Sequence, residues 1–404
     1  MKRDTNNRKN PGIILAVVII CVVAALSALF IINFRGENRK TQETLPPAET
    51  VTASPTETPP AETVEPTETP VPSDNTPGPE ENPGTEEPSE NLVIRTDYEV
   101  FKPNEVGEIP IVMFHNFIEA FEPNTEKEFT TTFEEFENLL YALYDQGYRL
   151  ISMREFIDCD ISVPAGTKPM VFTFDDGTAG QFNLIEKDGK LEVNPKSAVG
   201  VMLKFNEKYP DFGLKGIFYV NMNIGDNTFK GAGTLRERFE ILQSLGFEIG
   251  NHTWGHVKFN EINSVEKIQE SLGKNQQKAE EVLPGLKFYS LALPHGSRPQ
   301  NKNLLPALVE GTYEGVQYYN ESIMAVGANP AKPSISKEYN SQYVARIRAQ
   351  GREPVECDLT WWLPRMTEKR MFISDGDPKT IVVPKDKSSQ VDTEKLNGKT
   401  LITY

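Results

Sequence analysis

Apolar positions fall into three regimes along this chain. Residues 13–32 are almost wholly apolar, with no charge and no proline, long enough for a helix across a bilayer core, which takes about 20 residues. Residues 41–92 are Pro, Thr, Glu and Ser with few large apolar side chains. Beyond residue 93, short apolar runs alternate with segments of helical spacing, and that alternation predicts a mostly parallel sheet with helices outside it.

The runs at 109–114, 171–174, 216–220, 248–250 and 290–293 read as buried strands. Helices are expected over 132–144, 198–209, 234–245 and 265–282. In the first of these, Phe133, Phe136, Leu140 and Leu143 share one face, and Thr132 with Glu135 can form a capping box. Asp188-Gly189 between 183–187 and 190–193 reads as an inserted hairpin. Asp375-Gly376-Asp377, between apolar runs at 371–373 and 380–383, reads as another hairpin turn rather than a metal loop.

Charge sharpens the division. Lys2, Arg3, Arg8 and Lys9 precede the long apolar run against Asp4 alone, which places the N-terminus in the cytoplasm and the rest outside. The reading is a cytoplasmic tail (1–12), an uncleaved transmembrane signal-anchor helix (13–34), a disordered linker (35–92) and one α/β domain (93–404). A cleavable signal peptide is the rival, but the small residues Ala25, Ser27 and Ala28 lie inside the run. Pro47 to Val51 recurs as Pro60 to Val64 in the linker, and such a composition stays solvated because it cannot bury enough apolar surface. The net charge is −16, of which residues 1–40 contribute +5 and residues 41–92 contribute −12, leaving −9 for residues 93–404. An acidic domain argues against nucleic acid as a partner. Cys159 and Cys357 are the cysteines outside the apolar run, too few for a disulfide framework.

Reactive side chains sit where strands should end. His115 follows 109–114, Asp175 and Asp176 follow 171–174, His252 and His256 follow 248–250, and His295 follows 290–293. These are all four histidines of the chain. In a (β/α) barrel the loops after the strands share one rim, which favours a barrel over an open sheet. A carboxylate with two imidazoles is a common hydrolytic metal set, and a spare carboxylate beside it can serve as a base.

Thr173-Phe174-Asp175-Asp176-Gly177 with His252-Thr253-Trp254-Gly255-His256 resembles the first two motifs of the polysaccharide deacetylases, the NodB-like group also called carbohydrate esterase family 4. Leu293-Pro294-His295-Gly296 resembles the third, and the likeness extends over residues 109–296. The resemblance implies a distorted (β/α) barrel that removes N-acetyl groups from amino sugars, or O-acetyl groups in some members. It implies Asp176, His252 and His256 as ligands of a divalent metal and Asp175 as the base. The oxyanion would fall on the metal and the backbone N–H at His295. Imidazole and carboxylate donors suit zinc first, with cobalt, nickel or iron also accommodated.

The chain departs from the family pattern at two places. No histidine follows His295, where a late one would supply the leaving-group proton, and Ala292 stands where an arginine would orient the base. The opening run 109–115 resembles a branch of exopolysaccharide and cell-envelope deacetylases in which the acid comes first in the chain. That likeness assigns the acid role to His115, against the alternative of a histidine hydrogen-bonded in the core. His295 is expected to line the sugar pocket. Arg346 and Arg348 are candidates for the missing guanidinium, although the alternation over 343–348 equally describes a strand with a charged outer face. Of the three tryptophans, Trp254 is the candidate for stacking on sugar, with Trp361 and Trp362 read as core.

The expected protein is a monomeric, membrane-anchored, metal-dependent deacetylase facing outward, acting on an acetylated envelope glycan of peptidoglycan or poly-N-acetylglucosamine type. The alternative from another class is a glycan-binding or sensing module that keeps the barrel without turnover.

Overall fold

The computed structural model describes residues 93–125, 127–349 and 355–404. The expected cytoplasmic tail, membrane helix and linker lie outside the described residues. Among the described residues no helix is long and apolar enough to cross a membrane.

Eight strands form one sheet: β1 (Ile111–Phe114), β2 (Tyr148–Leu150), β3 (Lys168–Asp175), β4 (Ile217–Val220), β5 (Glu248–Asn251), β6 (Ser290–Ala292), β7 (Ser322–Met324) and β8 (Ile347–Arg348). The order is β7-β6-β5-β4-β3-β1-β8, with β2 alongside the start of β3. Every pairing in it is parallel. The sheet curls until its two end strands are linked. Val344 exchanges backbone hydrogen bonds with Ile323 and Ala325 beside β7, and three residues on, Ile347 pairs with Val112 of β1.

Four longer helices cover the sheet: α1 (Phe133–Asp145), α2 (Ala198–Lys208), α3 (Leu235–Ser244) and α4 (Val265–Val282). The capping box expected at Thr132 and Glu135 is present, and Thr234 with Glu237 forms a second. Strand pleating decides which side chains meet the helices, because successive residues point to opposite faces. Phe172 and Phe174 of β3 pack outward with Phe136 and Leu140 of α1. Val171 packs in a separate cluster with Ile111, Ile217 and Tyr219. By the same alternation Thr173 and Asp175 share the face of Val171, so a carboxylate is carried into the interior of the curl by a strand that is otherwise apolar. Each fully buried aromatic or aliphatic side chain here contributes roughly 1.5–3 kcal/mol, which allows the sheet to bear a few costly polar insertions.

Residues 184–187 and 190–193 form the expected hairpin. The second hairpin does not form. Thr380–Val383 pairs in parallel with Thr400–Thr403, while Met371 and Ile373 bridge to Glu108 and Asn104. Asp375 turns inward instead, its backbone N–H donating to the buried Glu105 carboxylate, which also accepts from Val382 N–H at 2.7 Å. Burial, reinforced by the Asp375 charge, pushes the Glu105 carboxyl well above the ordinary glutamate range. A raised carboxyl stabilises the fold fully below its unfolded pKa, and that contribution is lost as pH rises through the folded value. Between about pH 5 and pH 9 the thermal midpoint of the native chain should therefore fall more than that of Glu105→Gln; parallel curves would refute a charged-state cost at this position. Cys159 and Cys357 are both free thiols.

Candidate active site

All six residues singled out by pattern line one cavity of about 240 Å³ at the C-terminal ends of the strands. His115 directly follows β1, Asp175 ends β3 with Asp176 next, and His252 directly follows β5. His256 lies in the loop after β5 and His295 in the short turn after β6. Several of these positions have left-handed backbone: Asp176 (φ 83°), Thr253 (φ 69°), His256 (φ 50°) and His295 (φ 55°). Such conformations cost about 1–3 kcal/mol each for residues with a side chain and persist where the surroundings impose them. Close packing also selects Gly250, where a Cβ would stand 2.6 Å from the Tyr219 ring.

The surroundings of the histidine loop are explicit. Asn251 accepts from Thr253 N–H at 2.8 Å and from the Asn275 amide at 2.9 Å, and Asn221 donates to the carbonyls of His252 and Thr253. These three asparagines are buried, and their hydrogen bonds fix the loop's backbone. Across the cavity, the buried Gln181 amide donates to the carbonyls of His115 (2.7 Å) and Asp175. It ties the loop after β1 to the loop after β3.

Asp176, His252 and His256 present their donor atoms within 4.8 Å of one another. Asp176 Oδ1 lies 3.4 Å from His252 Nε2 and 3.5 Å from His256 Nε2. Donors about 2.1 Å from a tetrahedral cation stand about 3.4 Å apart, so the three fit a divalent ion. His252 Nδ1 lies 2.9 Å from the Ala292 carbonyl, which fixes the tautomer with Nε2 as the free lone pair. That Nε2 is buried and has no hydrogen-bond partner, an orphan that a metal would satisfy. Burial opposes charge on His252, but Asp175 and Asp176 outweigh it and raise its pKa, whereas burial takes His256 down to about 4.

Asp175 is 1 % exposed and meets Arg346, which is fully buried, through two parallel contacts of 2.7 and 2.8 Å. Arg346 is also held by the Ala325 carbonyl (2.7 Å) and the Thr173 hydroxyl (3.1 Å). The expected outer-face alternative at 343–348 is thereby corrected for Arg346: it points inward, onto Asp175. Burial pushes the Asp175 carboxyl up, yet the Arg346 guanidinium and neighbouring imidazoles bring it below the usual range. Arg348 pairs instead with Glu128. His115 Nε2 lies 3.9 Å from Asp175 Oδ2, and burial lowers the imidazole's pKa, so the ring is neutral at neutral pH.

His295 stacks edge-on against His256 at 4.6 Å. Trp254, the expected sugar contact, packs against the main core under the Lys274 ammonium (4.7 Å) and does not line the cavity. Phe129, which pattern reasoning missed, does line it, its ring 4.9 Å from that of His115. A lone phenylalanine in a loop carries no sequence signal for this.

Residues 162–316 match the family model described as polysaccharide deacetylase. No curated protein matches the chain. Among solved structures, a polysaccharide deacetylase from Bacillus cereus is 17 % identical with TM-score 0.47, over 64 % of this chain and 69 % of that one. The Streptococcus pyogenes deacetylase PplD in complex with acetate is 16 % identical with TM-score 0.46, over 64 % of this chain and 98 % of that one. IcaB from Ammonifex degensii is 16 % identical with TM-score 0.43, over 60 % of this chain and 92 % of that one. His115 and Arg346 fall outside the matched segment, while Asp175, Asp176, His252, His256 and His295 fall inside it. Over residues 162–316, then, this chain is similar to the polysaccharide deacetylases.

Proposed function

We propose that this chain is a metal-dependent hydrolase that removes N-acetyl groups from the amino sugars of an envelope glycan, of peptidoglycan or poly-N-acetylglucosamine type. The observation that carries the reading is the placement of a metal-type triad and an arginine-held carboxylate in one cleft. A divalent ion held by Asp176, His252 and His256, zinc being best suited to this donor set, would supply Lewis acidity toward the acetyl carbonyl and a more acidic water.

The remaining roles belong to side chains. Asp175, kept ionised and oriented by Arg346, accepts the proton of the attacking water. The sugar nitrogen must gain a proton before it can leave, because an amide anion is a very poor leaving group. His115 Nε2 stands 3.9 Å from Asp175 Oδ2 and, being neutral beforehand, can receive that proton through one water and deliver it to the nitrogen. His295 and Phe129 bound the space for the sugar. The curled sheet is read as the family's distorted (β/α) barrel, and the domain as an outward-facing one behind a membrane anchor and linker.

His252→Ala and His256→Ala should lose bound zinc, measured by metal analysis after purification, and with it acetate release from N-acetylglucosamine oligomers. Full metal content in both variants would defeat the ligand assignment. If the native chain binds metal and glycan but releases no acetate, the silent glycan-binding reading replaces the enzymatic one.

A further inference from the structure

A second cavity, of about 290 Å³, shares no lining residue with the first. Glu108, just before β1, lines it, so it opens at the opposite end of that strand from His115. Four cations converge there, Lys332, Lys369, Arg370 and Lys387, against the single carboxylate Glu108. Such a concentration of positive charge stands out in a region whose net charge is −9.

The pairing within it is incomplete. Glu108 is engaged by Arg370 and, at 3.4 Å, by Lys332, which also reaches Glu338 at 3.0 Å. The ammonium groups of Lys369 and Lys387 have no ion-pair partner among the described residues. Lys387 Nζ donates to the backbone carbonyl of Lys369, which fixes the Lys387 ammonium at the cavity wall. Burial, and more weakly the Lys332 charge, lowers the Lys387 pKa although Asp386 and Glu108 oppose it. Four cations against one carboxylate leave an excess of positive charge around the cavity, which a bound anion would offset.

We propose that this cavity is a binding site for a phosphate group, in which Lys369 and Lys387 supply the free donors and Lys332 and Arg370 the flanking charge. A carboxylate would leave most of the excess positive charge uncompensated, whereas a phosphate carries about −1.5 to −2 and three acceptor oxygens. The cavity has room for a glycerol- or sugar-sized substituent beside the phosphate. The phosphate can be inorganic or the terminal monoester of a lipid such as phosphatidic acid.

The test uses the full-length chain in a neutral detergent and isothermal titration with sodium phosphate, soluble dihexanoyl phosphatidic acid and, as the diester control, dihexanoyl phosphatidylcholine at constant ionic strength. Saturable binding of at least one phosphate ligand is expected, weakened roughly ten- to a hundredfold in Lys369→Ala/Lys387→Ala because charge-assisted hydrogen bonds are lost. Lys190→Ala, in the distant hairpin, controls for loss of surface charge and should bind as the native chain does. Tighter binding of phosphatidic acid than of either other ligand identifies a lipid monoester as the source, and equal or tighter binding of inorganic phosphate identifies the phosphate alone. Absence of saturable binding to all three, or equal binding by the double variant and the native chain, overturns the proposal.

Discussion

Asp175→Asn should lower acetate release by roughly 10²- to 10⁴-fold, the range in which positioned general bases contribute. The loss should appear in kcat, because an amide keeps nearly the same shape at the floor of the cleft but cannot take a proton from water. Zinc content should stay near native, since Asp176, His252 and His256 are untouched. The variant is to be assayed well below its unfolding temperature, because Arg346 then faces an amide with one acceptor oxygen instead of two. Retention of kcat within about tenfold would exclude Asp175 as the base.

The largest effect on stability is expected at its partner. Arg346→Met leaves a fully buried carboxylate without its guanidinium, and breaking a buried ion pair from one side costs about 3–5 kcal/mol. The sign of its pH dependence follows from the direction of the Asp175 shift. In the native chain that carboxyl lies below its unfolded value of about 3.9, so its contribution is present above that pH and is lost as pH falls through the folded value. In the variant, the lone buried carboxyl shifts upward and binds a proton instead. Denaturant titration should thus show a wide gap between native and variant at neutral pH that narrows toward acid. Asp175→Asn/Arg346→Met should be more stable than Arg346→Met alone, the mark of direct coupling. A gap independent of pH, with additive changes in the cycle, would reduce Arg346 to a space-filling residue.

The sequence exposed the site more readily than its support. Each reactive side chain stands at the end of an apolar run, and since strands in a parallel sheet end on one rim, their convergence is legible in the sequence. Arg346 was only half legible. Alternation of charged and apolar residues places Arg346 and Arg348 on one face of a strand, but nothing local tells which face is the interior. The answer lies in Asp175 and Ala325, far away in sequence. Asp375-Gly376-Asp377 misled for a related reason: a turn-like triplet between apolar runs predicts a hairpin only if the runs pair with each other, and these found other partners. Strands as short as Tyr148–Leu150 and Ser322–Met324 carry too few residues for a periodic signal.

Arg346 sits 171 residues beyond the carboxylate it holds, on the very segment that joins the two ends of the sheet. A polypeptide still being synthesised can therefore display its metal-type triad long before its carboxylate is locked in register. The Asp175 carboxylate would gain its counter-charge late in synthesis, and a nascent chain whose segment 344–347 has not docked would leave it unheld.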